Sequence, residues 1–269
     1  LTNEITALQA ASPSLVIADT PYLAIEAGSR SQIPTLALAN FTWDLVLKEF
    51  CLASDHSRQR LIQSIRGSYS KADKALRITP APKIDVFSTI TDIGPIASPA
   101  SSERGRLTAT LDLASNERTV LVGFGGIPLS SLPLAQMEQL RQYRFLIDGP
   151  VPMGYTRIHS TKMLPFSFKT LLASVDIIMT KPGYGTVVEA VALQQPIVYV
   201  RRHNFADEPP LVDFLHRYAR SVELSMEDFM KGCWEPALQQ ALAASASFLP
   251  PPATGAAEAA EEIVRKWSF

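Results

Sequence analysis

Short apolar runs alternate with helical segments along almost the whole chain, and this alternation constrains the fold more than any other feature. Examples of the runs are LVIA at 15–18, TLALA at 35–39, TVLVG at 119–123 and PIVYV at 196–200. Continuous apolar runs of this length are typical of strands that are buried on both faces of a parallel sheet. The segments between the runs have helical patterns, as a strand–helix–strand crossover requires. We therefore predict an α/β fold with parallel sheets and helices on both faces.

The length of 269 residues, with 46% hydrophobic residues, is sufficient for two such domains. A proline-rich passage at 79–99 interrupts the alternation, and we place the domain boundary at its end, near SPASSE at 98–103. The predicted domains are 1–100, 101–254 and a last helix at 255–269 that packs back on the first domain. A helix precedes the first strand and no initiating Met is present, so the first domain is expected to be an incomplete second half.

Charge and cysteine content exclude several classes of function. With 25 Lys and Arg against 26 Asp and Glu, the chain has no overall attraction for nucleic acid or an anionic membrane. Cys51 and Cys233 are not in a CxxC spacing, which favours a reduced, cytoplasmic protein without a disulfide scaffold or zinc cluster. A long uncharged stretch at 119–137 contains glycines and prolines, so no membrane span is expected.

The segment MTKPGYGTVVEA at 179–190 carries the strongest indication of a binding site. A buried strand is predicted to end at Met179 and a helix to begin near Thr186. Backbone N–H groups at such a helix start favour a phosphate, and Gly183 and Gly185 allow its close approach. Glu189 could accept hydrogen bonds from a ribose diol. The alternative is an ordinary strand–helix turn with an exposed Glu189.

A second strand end opens into glycines in VGFGGIP at 122–128. Gly125 and Gly126 form either a tight turn or a second backbone cradle for a ligand. The full GxGxxG pattern of a dinucleotide site is missing. This segment alone therefore does not predict a dinucleotide cofactor.

The order strand–TKPGYGTVVEA–helix–QQPIVYV at 176–200 resembles the donor domain of GT-B nucleotide-sugar glycosyltransferases, most closely the type that forms lipid II. LVIADTP at 15–21 and ANFTWD at 39–44 resemble the glycosyltransferase-like half of plant L-arabinokinases. The resemblance implies a GT-B fold of two Rossmann-like domains, with the first incomplete. It also implies transfer of a sugar, with inversion, from a nucleotide diphosphate sugar to a hydroxyl acceptor. No DxD-like pair is present and helix dipoles can hold the leaving diphosphate, so no bound metal is expected. No cofactor is expected either.

The same resemblance implies roles for individual residues. The second domain would bind the diphosphate, the ribose and, through backbone atoms of one loop, the base. ADEPP at 206–210 departs from the usual acidic or Gln pair of the sugar-reading loop, so the identity of the donor sugar stays open. The implied residues are Gly183, Tyr184, Gly185 and Thr186 for the diphosphate, Glu189 for the ribose, Leu164, Pro165 and Phe166 for the base, Gly125 and Gly126 for the glycine loop, and Asp207 and Glu208 for the donor sugar.

On the acceptor side, Asp19 follows a buried strand where related transferases place the Asp that orients a catalytic His. The matching His lies in a glycine-rich segment that this sequence does not contain, so the chain alone is expected to be almost inactive. The alternative role of Asp19 is to cap the helix at Pro21. Asn40, Trp43 and Asp44 either contact the acceptor or anchor the fold.

Two other functions use the same fold. A nucleotide-sugar hydrolase or epimerase would share the donor residues, and a non-catalytic nucleotide-sugar-binding module would bind without turnover. The fold alone does not choose among them. An open sheet edge in the first domain would also allow association with a second chain, which makes a homo-oligomer a further expectation.

Overall fold

The computed structural model describes residues 1–50, 55–124, 132–203 and 205–267. Contacts within the chain divide it into two compact units. Unit 1 consists of Leu1–Ile96, His203–Pro210 and Pro252–Phe269, and unit 2 consists of Ala97–Arg202 and Leu211–Pro251. Among the described residues each unit contains one sheet, and every strand pair found in the two sheets is parallel. The predicted α/β class with parallel sheets is confirmed.

Unit 1 has a four-stranded sheet in the order β1-β2-β3-β4. Strand β2, one of its two inner strands, is the apolar run TLALA, which was predicted residue for residue. The strands are β1 (Val16–Asp19), β2 (Thr35–Ala39), β3 (Lys74–Ile78) and β4 (Ile90–Ile93). Helix α1 (Thr2–Ala11) precedes β1, and the helices between the strands are α2 (Tyr22–Arg30), α3 (Trp43–Glu49) and α4 (His56–Tyr69). One hydrophobic cluster joins Ile25 of α2, Ile65 and Tyr69 of α4, and Ala37 of β2. The first three of these side chains are at most 2% exposed.

Strand β4 lies inside the passage 79–99 that was predicted to lack regular structure, and this prediction is wrong. β4 pairs with β3 from Ala75↔Ile90 to Ile78↔Ile93 and forms an edge of the sheet. Because it is an edge strand, only Ile93 is buried, and the sequence has no continuous apolar run there. Arg77 of β3 holds Asp92 of β4 through a hydrogen bond of 2.6 Å from Nη2.

Unit 2 has a six-stranded sheet in the order β10-β9-β8-β5-β6-β7. Its strands are β5 (Arg118–Gly123), β6 (Tyr143–Ile147), β7 (Ile158–Ser160), β8 (Ile177–Thr180), β9 (Ile197–Tyr199) and β10 (Ser221–Glu223). The chain leaves β5 first toward β6 and β7, and then returns to β8 on the other side of β5. Such a reversal opens a crevice at the carboxyl ends of the two strands, where ligands of open α/β sheets bind.

Helices cover both faces of this sheet, and adjacent residues of β5 alternate between two hydrophobic layers. Leu121 joins the cluster that contains Val187, and Val120 and Val122 join the cluster that contains Trp234. This arrangement explains why the strands are apolar without alternation. The helices of this part of the chain are α5 (Arg104–Leu111), α6 (Leu134–Gln139), α7 (Phe168–Ser174), α8 (Tyr184–Ala192), α9 (Glu208–Tyr218), α10 (Met226–Lys231) and α11 (Glu235–Ala243).

The segment 225–242, which carries one continuous apolar pattern, forms two helices, α10 and α11. Gly232 ends α10 with a φ of 75°, a left-handed conformation that favours glycine. The next helix begins after Trp234, which is fully buried and whose indole N–H donates to the carbonyl of Phe229 over 2.9 Å. The apolar pattern continues across this break because both helices pack on the same face of the sheet.

The last helix, α12 (Gly255–Trp267), contacts strands of unit 1. Glu262 forms an ion pair with Lys74 of β3, and Glu258 accepts a hydrogen bond of 3.1 Å from the backbone N–H of Gly94. Gly255 is required at the start of the helix because a Cβ there would overlap the carbonyl of Gly94. Within the described ranges, no helix is long and apolar enough to cross a membrane.

A buried carboxylate ties together the amino ends of three strands in unit 2. Glu117 precedes β5 and is 6% exposed. It accepts hydrogen bonds from Arg144 of β6 at 2.9 Å and from Arg157, before β7, at 2.7 Å. The Arg144 guanidinium is the largest of the influences that lower the pKa of Glu117 to about 2, against which burial acts in the opposite direction.

We predict that this network stabilises the fold in a pH-dependent way. Because the folded pKa is below the ordinary value of 4.5, the stabilisation is complete above that value and is lost as the pH falls toward about 2. Glu117→Gln should lower the free energy of unfolding at pH 7 by about 1–3 kcal/mol. Urea unfolding from pH 7 to pH 3 measures the difference from the parent. A difference that does not shrink below pH 4.5 would contradict the ion pairing.

Candidate functional site

The candidate site of unit 2 is built on the amino end of α8, directly after β8. Strand β8 ends at Thr180, and α8 begins at Tyr184, two residues before the predicted start at Thr186. Gly183 is the N-cap residue, with extended backbone angles and no side-chain capping hydrogen bond. The positive end of the helix dipole lies at this turn, and an anion is the natural complement of such a helix end.

The two glycines of this turn leave space in front of the helix. A Cβ added at Gly185 would meet no atom within 4 Å, and one added at Gly183 would meet only the carbonyl of Lys181, at 3.9 Å. These glycines are therefore not required by packing inside the chain. Because glycine has no side chain, a ligand has room to approach the backbone closely at these positions.

Two cationic side chains accompany this helix end. Arg202, three residues beyond β9, donates a hydrogen bond of 2.6 Å from Nη2 to the carbonyl of Pro182, which fixes its guanidinium at the turn. Burial lowers the pKa of Lys181, and the positive charge of Arg202 lowers it further. Because two like charges lie near each other beside a helix amino terminus, an anion with more than one negative charge would relieve their repulsion.

Glu189, farther along α8, has one carboxylate oxygen in use and one without a donor. The side chain is 8% exposed, so the alternative of an exposed Glu189 is wrong. Its Oε1 accepts a hydrogen bond of 3.0 Å from the N–H of Ser98 and pairs with Lys169 Nζ at 2.9 Å. Its Oε2 is buried and has no hydrogen-bond partner among the described residues. A buried acceptor without a donor is costly for the fold and is suited to a ligand hydroxyl.

Ser98 and Lys169 were not identified from the sequence. Lys169 of α7 also donates to the carbonyl of Ser98 over 3.2 Å, so the three residues form a closed group. The backbone of Ser98 carries no side-chain signal, and Lys169 resembles any exposed helical lysine. Only the folded chain brings Ser98 and Lys169 to Glu189.

The loop predicted to contact a base follows a short 3-10 turn, Thr161–Met163. Leu164 and Phe166 are partly buried against the same hydrophobic cluster as Tyr184. The Arg106 guanidinium lies over the Phe166 ring, 4.8 Å from its centroid. A cavity of about 590 Å³ opens beside this loop, with walls that include Val151, Tyr155, His159, Met163 and Leu164. Gly125 and Gly126, the predicted glycine loop, lie outside the described residues.

In unit 1, Asp19 is exposed at the end of β1. The helix that follows has Pro21 as its N-cap residue and no side-chain capping hydrogen bond, so the alternative of Asp19 as a helix cap is wrong. Asp19 Oδ1 instead accepts a hydrogen bond of 3.3 Å from the hydroxyl of Thr20. Thr20 has a φ of 73°, unusual for a β-branched residue. The Tyr69 hydroxyl holds its carbonyl over 2.5 Å.

The structure also brings two predicted site residues of unit 1 together. Asn40 Nδ2 donates to Asp207 Oδ2 over 3.5 Å, and both side chains are buried. Glu208 is 1% exposed and its Oε1 accepts a hydrogen bond of 3.1 Å from the N–H of His203. Trp43 is 39% exposed, whereas Asp44 is 2% exposed. Among the residues with described positions, no three or more His, Cys, Asp or Glu side chains form a metal-binding group.

Sequence comparison supports one of the two predicted resemblances directly. The chain is 26% identical over 247 residues to L-arabinokinase from Arabidopsis thaliana. The match covers 90% of this chain and 23% of that protein, so the chain spans about a quarter of the length of its relative. No protein-family model matches the chain.

Structural comparison establishes the fold. UGT2 from Phytolacca americana, in complex with UDP-2fluoro-glucose and pterostilbene, matches with a TM-score of 0.62 and 14% identity over 98% of this chain and 80% of that chain. A structure from Listeria monocytogenes assigned as a UDP-N-acetylglucosamine 2-epimerase matches with a TM-score of 0.56 and 13% identity over 99% of this chain and 78% of that chain. The chain therefore has the predicted GT-B fold, with two Rossmann-like sheets.

We predict that the ligand-free protein has room for a small side chain at Gly185. Gly185→Ala should leave the free energy of unfolding unchanged or raise it by up to about 1 kcal/mol, because alanine favours a helix over glycine. Gly28→Ala in α2 is the matched comparison, since its Cβ would overlap Thr35 Cγ2, and it should cost about 1–3 kcal/mol. Urea unfolding of both variants measures this. A marked destabilisation by Gly185→Ala would mean that the turn has no room for a ligand.

Proposed function

We propose that this chain binds a nucleotide diphosphate sugar through unit 2 and takes part in transfer of the sugar to a hydroxyl acceptor. The observation that carries the proposal is the carboxylate of Glu189, which is buried with Oε2 lacking a donor. A ribose offers a pair of neighbouring hydroxyls, and a carboxylate oxygen accepts hydrogen bonds from such groups. The sequence comparison with L-arabinokinase and the GT-B fold support the same assignment.

The amino end of α8 is the proposed diphosphate site. The N–H groups after Gly183 would donate hydrogen bonds to the phosphate oxygens, for which the open space at Gly185 leaves room. Lys181 and Arg202 would offset the negative charge of the phosphates. Glu189 lies five residues after Tyr184, about 8 Å along the helix at 1.5 Å per residue. This spacing lets one helix bind both the diphosphate and the ribose of the same nucleotide.

The same groups support a transfer without a bound metal, which belongs to the proposal. When the acceptor oxygen attacks the anomeric carbon from the opposite side, the bond to the diphosphate breaks and the configuration inverts. Negative charge then develops on the leaving diphosphate. Fixed backbone dipoles and the cations Lys181 and Arg202 are suited to stabilise that charge. Asp19, as the orienting partner of a histidine base, stays a prediction.

Ser98 and Lys169 act in this proposal as positioning residues for Glu189. Both bind Oε1, and this directs Oε2 away from the protein donors. The backbone of the loop at 164–166 is proposed for the base. Contact of Asp207 and Glu208, which belong to unit 1, with the donor sugar stays a prediction. Asn40 and Trp43 stay candidates for contact with the acceptor.

A second candidate function is epimerisation or hydrolysis of a nucleotide sugar. The likeness to the structure assigned as a 2-epimerase, with a TM-score of 0.56, is close to the likeness to UGT2, with 0.62. Such an enzyme would use the same diphosphate and ribose contacts. The two functions differ in whether release of the nucleoside diphosphate requires an acceptor.

We predict that Glu189 distinguishes ribose from deoxyribose. Calorimetry with UDP, GDP and ADP, each paired with its 2′-deoxy form, first identifies the ribonucleotide that the chain binds best. Glu189→Gln should weaken binding of that ribonucleotide by about 1–3 kcal/mol, because the hydroxyls lose a charged acceptor. It should affect the 2′-deoxy form less. Lys169→Met should have a smaller effect in the same direction, and Lys169→Arg should restore the preference.

Lys231→Met is the control for these variants, because Lys231 pairs with Glu227 on the exposed face of α10. It should leave both affinities unchanged. If Glu189→Gln keeps the parent preference for ribose, Glu189 does not contact the ribose, and the central observation of the proposal is lost.

A separate prediction distinguishes transfer from the second candidate function. Any release of nucleoside diphosphate from UDP-glucose or UDP-N-acetylglucosamine should increase when a hydroxyl acceptor is added, even if turnover is slow. Mass spectrometry identifies the products. Free sugar without an acceptor would indicate hydrolysis, an isomeric nucleotide sugar would indicate epimerisation, and binding without any product would indicate a binding module. Each of these three results would contradict transfer by this chain.

A further inference from the structure

A groove in unit 1, outside the residues proposed for the nucleotide, is lined by helices α3 and α4. It encloses about 1100 Å³, and its walls include Asp44, Lys48, Arg60, Arg66 and Asp85. Helix α3 follows β2, and Asp85 follows β3. The groove is therefore near the carboxyl ends of these parallel strands, where α/β sheets bind ligands. Its volume is sufficient for a small molecule.

Asp44, which is 2% exposed, is one of the residues that line this groove, and one of its carboxylate oxygens is already paired. Its Oδ2 pairs with Arg66 Nη1 at 2.7 Å, and the same Nη1 lies 3.0 Å from Asp85 Oδ1. Its Oδ1 is buried and has no hydrogen-bond partner among the described residues. Since an unsatisfied buried carboxylate oxygen is unfavourable, a hydroxyl that reaches it would gain a charge-assisted hydrogen bond.

Two of the side chains that line the groove are positively charged. Lys48 lies one turn after Asp44 on α3, and Arg60 lies on the facing side of α4. Neither has an ion-pair partner within the described residues, whereas Arg58 on the same helix pairs with Asp55 at 3.0 Å. Arg66 already neutralises Asp44 and Asp85 in part. The groove thus combines a hydroxyl acceptor at Asp44 with two cations that are available to an anion.

We propose that this groove binds a small anionic polyol, such as a sugar phosphate or a sugar acid. Lys48 and Arg60 hold its phosphate or carboxylate, and Asp44 Oδ1 accepts a hydrogen bond from one of its hydroxyls. Binding here does not depend on the function of unit 2. The further assignment of this ligand as the hydroxyl acceptor rests on the proposed function.

Calorimetry on the chain, with the nucleotide site saturated by the best-binding nucleoside diphosphate, tests the proposal. The probes are glucose 6-phosphate and glucuronate, which carry both features, and inorganic phosphate and glucose, which carry one each. Glucose 6-phosphate or glucuronate should bind more tightly than either single-feature probe. Lys48→Met and Arg60→Met should each weaken that binding about tenfold, the scale for loss of one charged hydrogen bond. Asp44→Asn should reduce the preference for glucose 6-phosphate over inorganic phosphate.

Arg58→Met is the matched control, because Arg58 is on α4 but is not part of the groove wall. It should leave the affinity unchanged. Lys48 and Arg60 are exposed, so their variants keep the fold and the test does not depend on the stability of Asp44→Asn. Equal binding by the parent and the Lys48 and Arg60 variants, or no binding of either polyol anion, would overturn the proposal.

These results are separate from those for unit 2. If the nucleoside diphosphate binds and the polyol anions do not, the groove proposal fails and the proposed function stands. If no nucleoside diphosphate binds, the same probes are measured without one. Binding of the polyol anions as described would then mean that the proposed function fails and the groove proposal stands.

Discussion

The pairing of β5 with β8 is the constraint on which the candidate site of unit 2 depends. The two strands run parallel from Val120↔Ile177 to Gly123↔Thr180, and the Thr180 hydroxyl donates to the carbonyl of Gly123 over 2.8 Å. Because the chain leaves these strands in opposite directions, their carboxyl ends are free of a crossing connection. The turn before α8 follows directly, so the position of this helix end and of its two cations is a consequence of this pairing.

The sequence was sufficient for most of the fold because the buried parallel strands are apolar throughout. Strand β2 was predicted residue for residue. The failures have physical causes. Edge strand β4 buries only Ile93, and α10 and α11 share one apolar face across Gly232. A pattern of hydrophobic residues reports which residues are buried. It is therefore weak in an exposed strand such as β4, and it continues through the break between α10 and α11 because both helices stay in the core.

The candidate site was predictable only where one segment carries it. Gly183, Gly185 and Glu189 belong to a single strand–turn–helix unit, and local spacing places them on one helix end. The partners of Glu189 come from elsewhere: Ser98 is separated by 91 residues and contributes only its backbone N–H. No periodicity records such a contact. The same limit applies to Asn40 and Asp207, which are 167 residues apart in the chain.

Glu189 and Asp44 are both buried carboxylates whose two oxygens have different surroundings. In each, protein donors hold one oxygen, Ser98 and Lys169 for Glu189 and Arg66 for Asp44, while the second oxygen has no donor in the described structure. The held oxygen fixes the orientation of the carboxylate, so the side chain cannot turn to satisfy the other. An unsatisfied buried oxygen lowers stability by about 1–3 kcal/mol, and a ligand hydroxyl that binds it recovers this energy as affinity. Two unrelated helices with this arrangement are more readily explained by ligand binding than by folding, because folding alone would favour a neutral or fully paired side chain at each position.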